Sequence, residues 1–427
     1  MKLMTLALSA ALSTTAFAAD FNGYIVKLKE GSSLMSQKSM SFDKIDEYKG
    51  LAGHFAVVRP FAGLVASNAL EELRNHPEVE YVEPNYIYSI NPTTVSNVVE
   101  SVKDASFDKQ WGLKNTGRNS GGWFSSGKEG EDINAEKAWE ITKGSREVIV
   151  AVIDTGVDHS HQDLRTQMWT NDKELNGIEG VDDDGNGFVD DVYGYDFVNN
   201  DGDPMDDNAH GTHCAGVIGA AHDGEGVMGV MANVRIMGLK FLSARGSGET
   251  IGAIKSIDYA VQMGAHVLSN SWGGGEKSQA LKESIERANE KGIIFVAAAG
   301  NSRSDNDARP TYPANYKVDN VITVGSHAGK GKRSSFSNYG QETVHVFAPG
   351  SNILSTVPNG GYKKMSGTSM ATPFVAGMMG LLRTKAPNMS PAQARDLVIR
   401  TSVDNGSLRG ISESNGRVDA FNLVKDL

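Results

Sequence analysis

The run Val148-Ile-Val-Ala-Val-Ile153 leads straight into Asp154-Thr155-Gly156. Six apolar side chains in a row offer water no polar face, so the run reads as a strand buried on both sides. Runs of the same kind recur at 235–242, 266–271, 293–299, 321–325 and 344–347. Stretches with helical spacing alternate with several of them, at 250–263, 278–291, 373–385 and 391–400. That alternation predicts right-handed βαβ units and an α/β fold: a doubly wound parallel sheet with helices on both faces.

In such a sheet ligands and catalytic groups gather at the carboxyl ends of the strands. The first run ends in Asp154, the run at 266 enters Asn270-Ser271-Trp272-Gly273, and the run at 293 enters Gly300-Asn301-Ser302. One helix opens at His210-Gly211-Thr212-His213, and another follows Gly367-Thr368-Ser369. A serine hydroxyl is a weak nucleophile near neutral pH. It needs an imidazole within ~3 Å as base, and a carboxylate to fix that imidazole's tautomer. Pro373 suits the first turn of the helix after Ser369, which puts the hydroxyl at a helix N-terminus. Asn301 is placed to donate its amide to a developing oxyanion. Taken singly, an Asp after a strand is ordinarily a turn or cap and a Ser before a helix an N-cap. Their joint occurrence is what points to catalysis. His213, His222 and His266 read as structural, and Cys214 as a small buried thiol.

The segments VIDTGVDHSH, HGTHCAGVIGA, SNSWGGG, AAAGNS and SGTSMATPFVAG resemble, in order, the signature segments of the subtilisin-like serine proteases. HGTHCAG, with its free cysteine, resembles the proteinase K branch. The resemblance implies a serine endopeptidase in which Asp154 orients the imidazole, His210 is base and then acid, Ser369 is nucleophile and Asn301 the oxyanion donor. It also implies that Gly246, Ser247 and Gly248 on one side, and Ser271, Trp272 and Gly273 on the other, flank an extended protein or peptide substrate. Thr311, where a glycine often lies, is expected in the pocket for the residue before the scissile bond. That would make the pocket shallower and suited to apolar or medium side chains.

The acidic stretch from Asp182 to Asp191 has the look of a calcium loop. Asp182, Asp184 and Asn186 fall at positions 1, 3 and 5, with Gly187 at 6 and a carbonyl at Phe188. Position 12 is Tyr193, so the closing acid must be Asp190 or Asp191. Carboxylates packed this closely repel unless a cation joins them. The family resemblance implies a second Ca2+ site at Asp163 and Asp223 with carbonyls near Ala221, Glu225 and Val227, and a ligand such as Gln110 from the segment before Trp111. Calcium that binds only the folded state would stabilise a chain whose single cysteine excludes an intrachain disulfide.

Residues 1–19 carry Lys2, a short apolar run and Ala16-Phe17-Ala18, the pattern of a secretory signal peptide and not of a membrane anchor. Residues 20–90 read as a small α+β unit. YIVKLKEG and LRNHPEVEYVEPN in it resemble the inhibitory propeptide of these proteases, which is ferredoxin-like and is removed autocatalytically. Residues 91–108 are polar and aperiodic, a linker expected to hold the processing site, and 109–427 form the catalytic domain. A net charge of −11 argues against nucleic acid or an anionic membrane as partner. The expected partners are protein and peptide substrates and the chain's own propeptide, and the protein is expected to act as a monomer. The alternative is a non-catalytic calcium-binding protein that keeps the fold.

Overall fold

Alternate residues of a strand point to opposite faces of its sheet, and the run at 148–153 shows what that builds. In the computed structural model Val148, Val150 and Val152 enter one apolar layer while Ile149, Ala151 and Ile153 enter another. The structure describes residues 20–32, 42–61, 66–90, 94–95, 106–120, 127–274 and 276–427. Residues 1–19, expected to be a signal peptide, and most of 91–105 lie outside them.

The N-terminal elements are β1 (Phe21–Leu28), β2 (Phe42–Gly50), β3 (Gly53–Pro60), α1 (Ala66–Arg74), β4 (Val79–Ser89) and β5 (Thr94–Val95). Then follow α2 (Ala135–Trp139), β6 (Gly144–Asp154), α3 (Asp172–Leu175), β7 (Gly194–Asp196), α4 (His210–Gly219), β8 (Asn233–Lys240), β9 (Ser247–Glu249) and α5 (Thr250–Gln262). Next come β10 (Val267–Asn270), α6 (Gln279–Glu290), β11 (Ile294–Ala298), β12 (Val321–His327), β13 (Val346–Pro349), β14 (Ile353–Val357) and β15 (Gly361–Ser366). The chain closes with α7 (Thr368–Lys385), α8 (Pro391–Arg400), β16 (Val403–Asp404), β17 (Gly416–Arg417) and α9 (Ala420–Val424).

The large sheet has the order β16-β17-β13-β12-β11-β10-β6-β8-β7 and is parallel from β13 through to β7. The layer that receives Val150 also holds buried residues of α4 and α7, and the layer that receives Ile153 holds those of α5 and α6. Helices therefore cover both faces, which accounts for the continuous apolar strands.

In the N-terminal unit β2, β3, β1 and β4 pair antiparallel in that order. Tyr24, Val26, Leu28, Ala56, Val58 and Leu73 make its own core, whereas Ile25, Phe55 and Val57 join the layer of α5 and α6. The other face of this small sheet is thus packed on the catalytic domain. The end of β4 continues into that domain and pairs with β9, Tyr88 opposite Gly248 and Ser89 opposite Ser247.

Two expectations need correction. Thr94 and Val95, read as linker, pair with Ser366 and Met365 of β15. And α7 begins at Thr368, which puts Pro373 in its second turn and Ser369 inside its first. Proline has no N–H to give to the carbonyl four residues back. The Ser369 carbonyl instead accepts from Ser271 Oγ (2.9 Å) and Cys214 Sγ (3.4 Å). The proline thus ties the start of α7 to α4 and to the end of β10.

Candidate active site

Asp154 closes β6 and His210 opens α4, and both are buried. Asp154 Oδ1 lies 2.8 Å from His210 Nδ1 and accepts the Thr155 N–H at 2.7 Å. A carboxylate there makes Nδ1 the protonated nitrogen and leaves Nε2 as the base. The approach needs a glycine after the histidine. A Cβ on Gly211 would lie 2.0 Å from the Gly156 carbonyl oxygen and 3.2 Å from Asp154 Cβ.

Ser369 Oγ donates to the Ser271 carbonyl at 3.0 Å, and His210 Nε2 has no hydrogen-bond partner among the described residues. The expected serine–imidazole bond is therefore not formed in this state. Such bonds are often long before substrate binds and tighten in the reacting complex. Asn301 follows Gly300, whose φ of 106° is left-handed backbone that suits glycine. Asn301 Oδ1 accepts from Thr368 N (2.8 Å) and Thr368 Oγ1 (3.0 Å), which makes Nδ2 the donor end of the amide. Asn301, Thr311, Gly273 and Ser369 share one cleft of about 690 Å3.

Both glycine-containing edges are engaged by the end of β4. Ser89 exchanges two 3.0 Å backbone hydrogen bonds with Gly273, and the Ile90 N–H donates to the Gly246 carbonyl at 2.9 Å. With Ser247 and Gly248 paired to β4 as well, the propeptide strand lies as a third strand between the edges. Trp272 forms a wall, its ring 5.2 Å from Tyr88 and 4.9 Å from Phe241. The Thr311 methyl would lie 3.5 Å from a Cβ on Gly273, so threonine narrows the space beneath that edge.

Cys214 is buried under α7, and burial pushes its thiol well up. His213 is held between the Ile353 and Lys363 carbonyls, and burial holds it down at about 3.

Of the acid loop, Asp182 accepts the N–H groups of Gly185, Asn186 and Gly187, while Asp184 and Asp191 share the side-chain amides of Asn171 and Asn186. Carboxylate oxygens of Asp182, Asp184 and Glu174 come within 4.8 Å of one another. Glu174 was not anticipated: it sits on α3, outside the acidic run, and only folding brings it in. Asp190 turns away to the Gly180 N–H, so Asp191, not Asp190, faces the loop. Phe188 donates its N–H to Asn186 Oδ1 and packs its ring on Tyr195, Phe197 and Tyr259. Burial raises the Asp191 carboxyl to about 6, against hydrogen bonds from Tyr259, Asn186 and Asn171. An all-oxygen set of crowded carboxylates fits a hard cation such as Ca2+.

The second expected set is less converged. Asp163 accepts from Val227 N–H (2.9 Å) and Tyr362 Oη (2.8 Å), and Asp223 accepts the Glu225 N–H. Val227 thus meets Asp163 through its N–H. Gln110 Oε1 is taken by the Met228 N–H. Burial, then the charge of Asp223 among smaller causes, raises Asp163.

A parallel, doubly wound sheet with Asp154 at a strand end, His210 and Ser369 at the starts of two helices beside it, and a cleft along which an extended strand pairs is the arrangement of a serine peptidase. Residues 145–417 match the Subtilase family model and residues 23–91 match Peptidase inhibitor I9. Thermitase of Thermoactinomyces vulgaris is 38% identical over 305 residues, 71% of this chain and 98% of its own. A thermophilic serine proteinase of Bacillus sp. (strain AK1) is 36% identical over 356 residues, 83% of this chain and 75% of its own. The crystal structure of a cold adapted subtilisin-like serine proteinase superposes with a TM-score of 0.53 at 37% identity, covering 65% of this chain and 89% of the other. The chain belongs to the subtilase family and is a serine endopeptidase with an inhibitor-type propeptide.

Proposed function

We propose that the chain is made as a secreted preproenzyme that hydrolyses peptide bonds through Asp154, His210, Ser369 and Asn301. The observation that carries this reading is the end of β4, paired along both edges of the cleft beside Ser369. A substrate pairs on the same edges. The Ser369 proton passes to His210 Nε2 as Oγ bonds to the carbonyl carbon, and Asp154 stabilises the imidazolium. Asn301 Nδ2 and the Ser369 N–H donate to the oxyanion. His210 then protonates the leaving amine, and water repeats the sequence on the acyl-enzyme.

Residues 1–19 would be the signal, 20–90 the inhibitory propeptide, 91–108 the segment that is cut and 109–427 the mature enzyme. No helix among the described residues is long and apolar enough to cross a membrane. Glu174, Asp182, Asp184, Asn186 and Asp191 would hold one Ca2+, and Asp163 with Asp223 and nearby carbonyls a second, both structural. The test expresses the full chain beside Ser369→Ala. The wild type is expected to shorten to a form beginning within 91–108 and to be labelled at Ser369 by a phosphonylating reagent, and the variant to do neither. Equal processing of both, or no label on Ser369, overturns the reading.

A further inference from the structure

Asp206 lies four residues ahead of His210, is 4% exposed, and was not singled out by any motif. Its Oδ1 accepts from Thr155 Oγ1 (2.9 Å), Asn208 N (2.9 Å) and Ala209 N (3.0 Å). Its Oδ2 accepts from Thr212 N (2.9 Å) and Thr212 Oγ1 (2.7 Å). A carboxylate that served only to cap α4 would need Thr212 alone. This one has donors from two separate stretches of chain.

Those stretches are the ones that carry the catalytic pair. Thr155 follows Asp154 directly and gives it its N–H, and Thr155 Oγ1 also accepts the Gly211 N–H at 2.9 Å. Gly211 and Thr212 follow His210 directly. Ala209, just before the histidine, has φ of 98°, a left-handed backbone strained for any residue with a Cβ. Asp206 accepts the N–H of that strained residue and so fixes the turn from which His210 is launched. Lys240 completes the clamp on the strand side: Nζ donates to the Thr155 carbonyl (2.9 Å) and to Asp207 Oδ1 (2.6 Å).

We propose that Asp206 is a positioning residue for peptide hydrolysis, holding the Asp154 and His210 segments at the separation that keeps Asp154 Oδ1 against His210 Nδ1. The proposal rests on the reading of Asp154, His210 and Ser369 as the hydrolytic set. Asp206 touches no reacting atom and acts through Thr155 and the start of α4. A buried carboxylate with saturated donors suits this task. Its amide counterpart would turn an N–H against an N–H and push the segments apart.

The test compares Asp206→Asn, Thr155→Val and Asp196→Asn with wild type. Thr155→Val removes only the hydroxyl between the two segments. Asp196 is also buried, and its carboxylate accepts from Val198 and Asn199 and from neither the Asp154 nor the His210 segment. Active sites are counted with the phosphonylating reagent. Per site, Asp206→Asn is expected to lower kcat about 10–100-fold with KM nearly unchanged, and Thr155→Val several-fold in the same direction. Both are expected to move the acid limb of the kcat profile to lower pH, because the imidazolium loses part of its carboxylate support. Asp196→Asn is expected to lower Tm and leave kcat per site and the acid limb in place. If Asp206→Asn fails to fold, Thr155→Val decides. Wild-type kcat and acid limb in the folded variants overturn the proposal while Ser369 labelling stands. Absence of that label in wild type overturns the hydrolytic reading instead.

Discussion

The carboxylates beside His210 and those of the 182–191 loop differ in how closely they crowd one another. Asp154 and Asp206 are buried: Thr155, the 208–209 turn and Thr212 give donors to both Asp206 oxygens, while Asp154 Oδ1 meets His210 and the Thr155 N–H and Oδ2 has no hydrogen-bond partner among the described residues. Around the loop, Glu174, Asp182 and Asp184 turn oxygens toward one another, while backbone N–H groups also meet Glu174 and Asp182 and asparagine amides meet Asp184. Fixed donors hold a carboxylate in place without help from an ion. Converging carboxylates repel, so a cation drawn from solution would add to what those hydrogen bonds hold. On the proposed function, the first set would serve groups that stay in register through turnover, and the second a fastening whose strength tracks the medium.

The comparison can be broken at several points. Asp154→Asn should lower turnover about 10⁴-fold in enzyme activated by added wild type, since the neutral amide no longer fixes the tautomer. A loss below tenfold would end the distinction. Asn301→Ala should cost about 10²–10³ in kcat with little change in KM, measured on a peptide substrate. Chelation should act on the other set: Tm should fall by about 5 °C or more while kcat per titrated site at room temperature stays put. An unchanged Tm would remove the cation from the account. The smallest effect concerns Asp258, buried in α5 but served partly by the propeptide, through Leu51 N–H (2.9 Å) and Tyr48 Oη (3.2 Å). Burial raises its carboxyl from 3.8 to about 6 in the precursor. A raised carboxyl binds more protons folded than unfolded, so its contribution is full below 3.8 and is lost as pH rises through about 6. The Tm of the Ser369→Ala precursor should therefore slope downward by a few degrees at most across that window, and Asp258→Asn should flatten the slope.

The large sheet was legible because burial on both faces forces unbroken apolar runs, and the strand ends because glycine must stand where helix and strand backbones touch, as at Gly211. The start of α7 was not. Pro373 suggests a beginning, but helices tolerate a proline in the second turn when other donors take the freed carbonyl, here Ser271 and Cys214. Glu174 and Asp206 stayed hidden for one reason: each acts across distance in the chain, and an isolated acid looks like any cap. The pairing of Thr94–Val95 with β15 was masked by polar composition, since an edge strand held by backbone bonds needs no apolar pattern.

The strand-like seating of Ile87–Ile90 between the cleft's edges also sets how activation depends on quantity. While the peptide chain is continuous, the propeptide occupies the cleft at an effective concentration that dilution cannot change. The proposed cut within 91–108 would turn the same hydrogen bonds into a bimolecular equilibrium. From then on the enzyme's freedom would depend on how much propeptide survives nearby, and a dilute medium would release what a crowded one would hold.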